Sequence, residues 1–161
     1  MTIKAYLDTN VYVYVALKNI NYFEKCKSIL NDALTGKIFA YGSLLVAVEL
    51  LGSISRINPQ IAQEALKAYL SMPIHNLEIT YETLQLSALV NTVVNIGYDS
   101  IHAATMIING VDKIITNDID DWRKFEENYR EVKKIASKHG FRIKAKEFQA
   151  IPIDSYMNST F

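Results

Sequence analysis

Short apolar runs alternate with longer helical runs along this chain, and that order constrains the fold more than any other feature. IKAYL (3–7) reads as a strand that ends at Asp8. An amphipathic helix then opens at Asn21, places Phe23, Cys26, Ile29, Leu30 and Ala33 on one face, and closes at Gly36. KIFAY (37–41) reads as a second strand, and Ser43 is a good N-cap for the helix LLVAVELLGSI. Asn58-Pro59 supplies the cap and first position of a helix to about Met72. HNLEI (75–79) is a third strand, and Thr80, with Thr83 and Glu82 nearby, begins a helix to about Ile96, stopped by Gly97. SIHAATMII runs from about Ser100 to Asn109-Gly110, a C-terminal stop. VDKIIT (111–116) is a fourth strand, residues 121–138 a polar, basic helix, and FRIKA (141–145) a fifth strand. VYVYVAL (11–17) alternates like a strand but follows Asp8-Thr9-Asn10, a helix-start signal, and is read as helix. Strands separated by ten or more helical residues need crossover connections. The expected fold is therefore one α/β domain, a central parallel sheet of about five strands flanked by helices. Residues from about Glu147 onward fit no strong pattern.

Half of the 161 residues are apolar and 21% are charged, enough to bury a core and too apolar for disorder. The one cysteine, Cys26, excludes an intrachain disulfide and a thiolate zinc cluster, and on the apolar face of its helix it reads as core. The opening MTIKAYLDTN has no apolar run long enough for a signal peptide. No stretch approaches the ~20 apolar residues of a membrane helix, so the expectation is a cytoplasmic protein without a membrane partner. Net charge is zero, which on its face argues against a nucleic-acid binder. The zero hides a split. Residues 1–122 carry 8 Lys and Arg against 12 Asp and Glu, a net of −4, and residues 123–161 carry 9 against 5, a net of +4.

Ligands of open parallel sheets bind outside the carboxyl ends of the strands. Asp8 directly follows the first strand and Asp118 lies just past the fourth, so both belong at that edge. Asp99 stands at the start of the helix after Gly97-Tyr98, and Glu49 lies within the apolar VAVELLG. Each also has a plain reading: Asp8 and Asp99 as helix caps, Asp118 as a turn residue, Glu49 on a solvent-facing stripe. A buried, unpaired carboxylate is costly, so Glu49 requires solvent, a partner or a metal. Carboxylates converging on one crevice repel, at about 4 kcal/mol for a pair ~4 Å apart at an effective dielectric near 20. Protons or cations must neutralise such a cluster. All-oxygen ligands without Cys or His nearby select Mg²⁺ or Mn²⁺.

Four ordered pieces, LDTNV (7–11), VAVEL (46–50), YDSIHAAT (98–105) and ITNDIDDW (115–122), make the chain resemble the PIN domain family over residues 3–145. Among PIN domains, its size and spacing resemble the VapC-like toxins. The resemblance implies a PIN-like nuclease domain over residues 1–146, with 147–161 as a C-terminal tail of unassigned structure. It implies a Mg²⁺- or Mn²⁺-dependent endoribonuclease with Asp8, Glu49, Asp99 and Asp118 as catalytic residues. Asp8 and Asp99 would hold the ion, Glu49 and Asp118 would complete the site, and Asp121 matches a further acidic position. Thr9, Asn10 and Thr116 would support the site. RNA hydrolysis would leave 5′-phosphate and 3′-hydroxyl ends. VapC-like proteins usually form a homodimer and are inhibited by a small antitoxin. Trp122 stands where the family more often has Phe.

Other functions have less support. A PIN scaffold retained for RNA or protein binding would not need the intact acidic quartet. A receiver-like phosphotransferase would leave Glu49 unaccounted for and lacks a suitably placed lysine. Hydrolase-elbow, phosphate-loop and dinucleotide motifs are absent. His102, three residues past Asp99, shares its helix face and reads as a histidine satisfied within the packing. The tyrosines, including Tyr12 and Tyr14, read as packing or subunit interface. The basic run containing Arg123, Lys124, Lys133 and Lys134 is either a solvated face or an RNA-contacting surface beside the acidic crevice. Salt-dependent binding decides between the two. On the RNA-contact reading, neutralising Lys133 and Lys134 weakens RNA binding and flattens its salt slope, whereas an unchanged slope assigns the run to solvent.

Overall fold

The computed structural model describes residues 2–159. Strands β1 (Ile3–Leu7), β2 (Ile38–Ser43), β3 (His75–Leu77), β4 (Lys113–Thr116) and β5 (Gln149–Pro152) form one sheet in the order β3-β2-β1-β4-β5. Every pairing is parallel. Each crossover is a helix pair: α1 (Thr9–Ala16) and α2 (Phe23–Leu34), α3 (Leu44–Ile54) and α4 (Pro59–Ser71), α5 (Tyr81–Val93) and α6 (Asp99–Ile108), α7 (Ile119–Glu127) and α8 (Tyr129–Lys138). A short α9 (Ile153–Asn158) follows β5. The chain winds outward from β1 to β3, then returns past β1 to β4 and β5. The switch in winding direction falls between β1 and β4, where a crevice opens at the strand ends.

Local chemistry explains the elements. The central strands are covered on both faces and are apolar almost throughout: Ala5, Tyr6 and Leu7 on β1, and Ile114 and Ile115 on β4, are fully buried. Asn58 accepts the N–H groups of Gln60 and Ile61, with Pro59 opening α4. Thr80 and Thr83 close a reciprocal capping box on α5. The alternating VYVYVAL segment is helical, because Asp8 caps it by accepting the Thr9 N–H at 2.7 Å. Ser43 holds the N-cap position of α3, but its hydroxyl is engaged by Tyr6 and makes no cap bond. Among the described residues, no helix is long and apolar enough to cross a membrane.

Two expectations are corrected. Residues 141–145 are not a strand. The N–H groups of Lys144 and Ala145 both bond the Ile107 carbonyl, at 3.0 and 3.1 Å, so this segment closes the end of α6 instead of joining the sheet. The last strand lies in the stretch that matched no pattern, Gln149–Pro152, paired in register with Lys113–Thr116. Proline ends this strand without cost because β5 is an edge. The basic helix over 121–138 is also two helices, with Asn128 at the junction.

Trp122 ties α7 to the segment entering β5. It is fully buried and stacks on Phe148 with ring centroids 5.8 Å apart, while Phe125 meets Phe148 edge-on at 4.7 Å. Its indole Nε1 is buried with no hydrogen-bond partner among the described residues. Trp122→Ala is therefore expected to lower stability by about 3–5 kcal/mol. Trp122→Phe should cost less than about 2 kcal/mol, because it keeps an aromatic core and removes an unsatisfied donor. Chemical denaturation of the two variants checks the difference.

Candidate active site

The crevice at the winding switch is a cleft of about 670 Å³. Asp8, Glu49, Asp99 and Asp118 all line it, with Thr9, Asn10, Ser53, Arg56 and Tyr98. Four acidic positions separated by up to 110 residues in sequence thus meet in one place, each brought by a different element. Asp99, Asp118 and Asp121 form a tight trio: one carboxylate oxygen from each lies within 4.8 Å of the other two. Asp8, Asp99 and Asp118 also each stand at the start of a helix, α1, α6 and α7. The partial positive charge of a helix N-terminus offsets part of their repulsion.

Capping does not account for the group. Asp8 does cap α1, but its other oxygen is engaged elsewhere. Asp99 is the first residue of α6, not its cap. Asp118 occupies the cap position of α7 without making a cap bond.

The Thr116 hydroxyl organises the β1–β4 edge. It donates to Asp8 Oδ2 at 2.7 Å and accepts the Asp118 N–H at 2.9 Å. Asn10 Nδ2 reaches the same hydroxyl at 3.3 Å, and Asn10 Oδ1 accepts the Asn117 N–H at 3.3 Å. One threonine therefore sets the spacing between Asp8 and the Asp118 loop. Thr9 is buried beside this network, and its hydroxyl has no partner among the described residues.

Glu49 is held from the other side. His102 Nε2 meets Glu49 Oε1 at 2.5 Å, and His102 Nδ1 meets the Tyr6 hydroxyl at 2.7 Å. His102 is fully buried, as expected of a histidine satisfied within the packing, but its partner is a cleft carboxylate. Sequence spacing placed His102 beside Asp99 and gave no signal of Glu49, 53 positions away. Arg56 and Tyr98 were likewise not singled out from sequence, and both line the cleft.

Arg123, Lys124, Lys133 and Lys134 of the basic run are not among the residues that line it. Lys124 bonds Asp121 at 3.3 Å. Lys133 bonds the Lys146 carbonyl at 2.5 Å and sits 5.3 Å from the Tyr129 ring centre. Arg123 and Lys134 are exposed.

The electrostatics follow from this crowding. Burial, then the charges of Asp8, Asp118 and Glu49, push the Asp99 carboxyl up to about 7, although His102 pulls the other way. Burial and the neighbouring Asp121, Asp8 and Asp120 also raise Asp118. Burial alone would lower His102. The Glu49 hydrogen bond and the charges of Asp8, Glu49 and Asp99 outweigh it and hold the imidazole above its ordinary value.

The PIN domain family model matches residues 5–130, and the chain belongs to that family. In fold it is similar to a chain in the crystal structure of VapBC2 from Rickettsia felis bound to a DNA fragment from their promoter. The TM-score is 0.55 with 20% identity, over 78% of this chain and 92% of that one. No curated protein matches the chain in sequence.

The raised values of Asp99, Asp118 and His102 each make the metal-free protein less stable as pH rises. Asp99 unfolds to a pKa of about 3.9, so between roughly pH 4 and 7 the folded state binds more protons than the unfolded state. Raised Asp118 acts in the same direction, and raised His102 contributes stability that is lost as pH climbs through its folded value. Thermal melts of metal-free protein should therefore show higher stability near pH 5 than near pH 8. Asp99→Asn should remove much of that slope and raise stability at pH 8 by on the order of 1–2 kcal/mol.

Proposed function

We propose that this protein is a Mg²⁺- or Mn²⁺-dependent endoribonuclease, the toxin of a toxin–antitoxin pair. The observation that carries the reading is the convergence of Asp8, Glu49, Asp99 and Asp118 on one cleft, with Asp121 close to Asp99 and Asp118. Such an arrangement is unfavourable with every carboxylate ionised, and a bound cation would relieve it. The donors suit hard divalent ions, since every group in the cluster presents carboxylate oxygen. When bound, a divalent ion supplies Lewis-acid polarisation of a phosphate and activation of water.

The chain's own residues would divide the work as follows. Asp8 and Asp99 hold the ion, and Glu49, Asp118 and Asp121 complete the acidic set. Thr116, with Asn10, keeps Asp8 oriented, because its hydroxyl donates to the carboxylate while receiving the Asp118 N–H. Burial and the neighbouring charges favour the protonated Asp99 carboxyl, and that proton must leave for it to act as a ligand. Arg56, among the described residues the one basic side chain lining the cleft, is placed to meet a phosphate. Of the basic run, the exposed Arg123 and Lys134 are free to contact the RNA backbone, and Lys124 pairs with Asp121.

A protein partner and a homodimer belong to the same reading. An apolar groove between α1, α2 and α4, lined by Val15, Leu30, Ala65 and Met72, adjoins exposed Leu34. Exposed apolar surface of this kind suits an antitoxin segment or a second copy.

Cleavage of radiolabelled RNA tests the proposal. Wild-type protein should cut with Mn²⁺ and stop on addition of EDTA, and Asp8→Asn and Asp99→Asn should each cut more than about a hundredfold more slowly. Purified variants that cut as fast as wild type, or cleavage indifferent to EDTA, would overturn it.

A further inference from the structure

Among the described residues, the Glu49 carboxylate meets one hydrogen-bonding side chain, His102. That histidine is fully buried, whereas the Glu49 side chain is 34% exposed at the cleft. Both ring nitrogens of His102 bond side chains: Nε2 bonds Glu49, and Nδ1 bonds the Tyr6 hydroxyl. Tyr6 passes the contact on to Ser43 Oγ at 2.7 Å. Tyr6 lies two residues before Asp8 on β1, His102 three residues after Asp99 on α6, and Ser43 six residues before Glu49 at the start of α3. The string therefore ties together β1, which runs into Asp8, α6, which carries Asp99, and the N-cap of α3, the helix that carries Glu49.

Its hydrogens are accounted for in either charge state. An ionised Glu49 only accepts, so Nε2 carries a proton aimed at it. With a neutral ring, the Tyr6 hydroxyl donates to Nδ1 and Ser43 donates to Tyr6. With a charged ring, Nδ1 donates to Tyr6 and Tyr6 donates to Ser43. The Nε2 proton points at Glu49 in both. Glutamate has three side-chain torsions, and at the mouth of a cleft they would otherwise sample many rotamers. This contact removes that freedom before a ligand arrives.

We propose that His102, braced by Tyr6 and Ser43, is a positioning residue that fixes the Glu49 carboxylate for holding the divalent ion. The role rests on the metal-dependent reading above. A histidine that served packing alone would not need Glu49 to be present.

Mn²⁺ titration calorimetry on the RNA-free full chain tests it, with circular dichroism to establish folding. His102→Asn keeps an amide near Nδ1 but falls short of Glu49, and should weaken Mn²⁺ binding by about 10–100-fold. His102→Gln reaches the Nε2 position and should bind within about threefold of wild type. In a Glu49→Gln background, His102→Asn should cost less than about twofold more, because the shared partner is already changed. A folded His102→Asn protein with wild-type Mn²⁺ affinity would overturn the proposal. So would equal losses in the Asn and Gln variants, or a full additional loss in the Glu49→Gln background.

If His102→Asn does not fold, Tyr6→Phe carries the test. It removes one buried hydroxyl remote from the cleft and should weaken Mn²⁺ binding by about threefold or more; unchanged affinity would overturn the role. Asp8→Asn separates the two levels. If Asp8→Asn and Glu49→Gln both bind Mn²⁺ like wild type, the metal reading fails and takes the positioning role with it. If they lose binding while folded His102→Asn keeps it, the positioning role alone fails.

Discussion

Like-charge repulsion at the ends of β1 and β4 is the constraint around which the rest of this structure is arranged. Asp8, Glu49, Asp99 and Asp118 share one cleft, and burial pushes the Asp99 carboxyl up to about 7. A folded domain that keeps such a group must offset it. Three helix N-termini meet there, hydrogen bonds from Thr116, Thr9 and Asn10 satisfy Asp8, and His102 answers Glu49. None of these restores neutrality. Protonation of Asp99, or the divalent ion of the proposed function, would relieve what remains.

The winding of the sheet makes this crowding possible. Reversal of direction between β1 and β4 leaves their carboxyl ends without a crossover helix running directly over them. The core keeps the two ends in register: Tyr6 and Leu7 pair with Ile114 and Ile115, so Asp8 comes opposite Thr116. The hydroxyl bond between them sits directly on the apolar strands. Precision at the cleft is thus inherited from packing, and the aromatic group of Trp122, Phe125 and Phe148 extends it by fastening α7, which carries Asp121, to the entry of β5.

The charge split along the chain gains a different meaning in three dimensions. The acidic part does collect in a cleft. The basic part is less concentrated: Lys133 is occupied by the Lys146 carbonyl and the Tyr129 ring, and Lys124 by Asp121. Arg56, an isolated cation in the sequence, lines the cleft. Position in the fold, and not density along the chain, decides which cations face the acidic site.

Much was legible in the sequence because its signals are local. Apolar runs of strand length, the Asn58-Pro59 start, the Thr80–Thr83 box and carboxylates just past two strands each depend on neighbouring residues, and each holds in the structure. FRIKA misled because alternation reports a half-buried extended segment without naming its partner. Its N–H groups found the Ile107 carbonyl instead of a strand. QAIP carries too little pattern to be read as a strand, and only the open edge of β4 makes it one. The sequence by itself determined the α/β class and the acidic set, since periodicity and residue type act over a few positions. The tertiary structure alone decided that His102 belongs to Glu49, that Thr116 joins Asp8 to the Asp118 loop, and that Arg56 lines the cleft. The His102–Glu49 and Thr116–Asp8 bonds span 53 and 108 residues, and only the closed core brings such distant partners together.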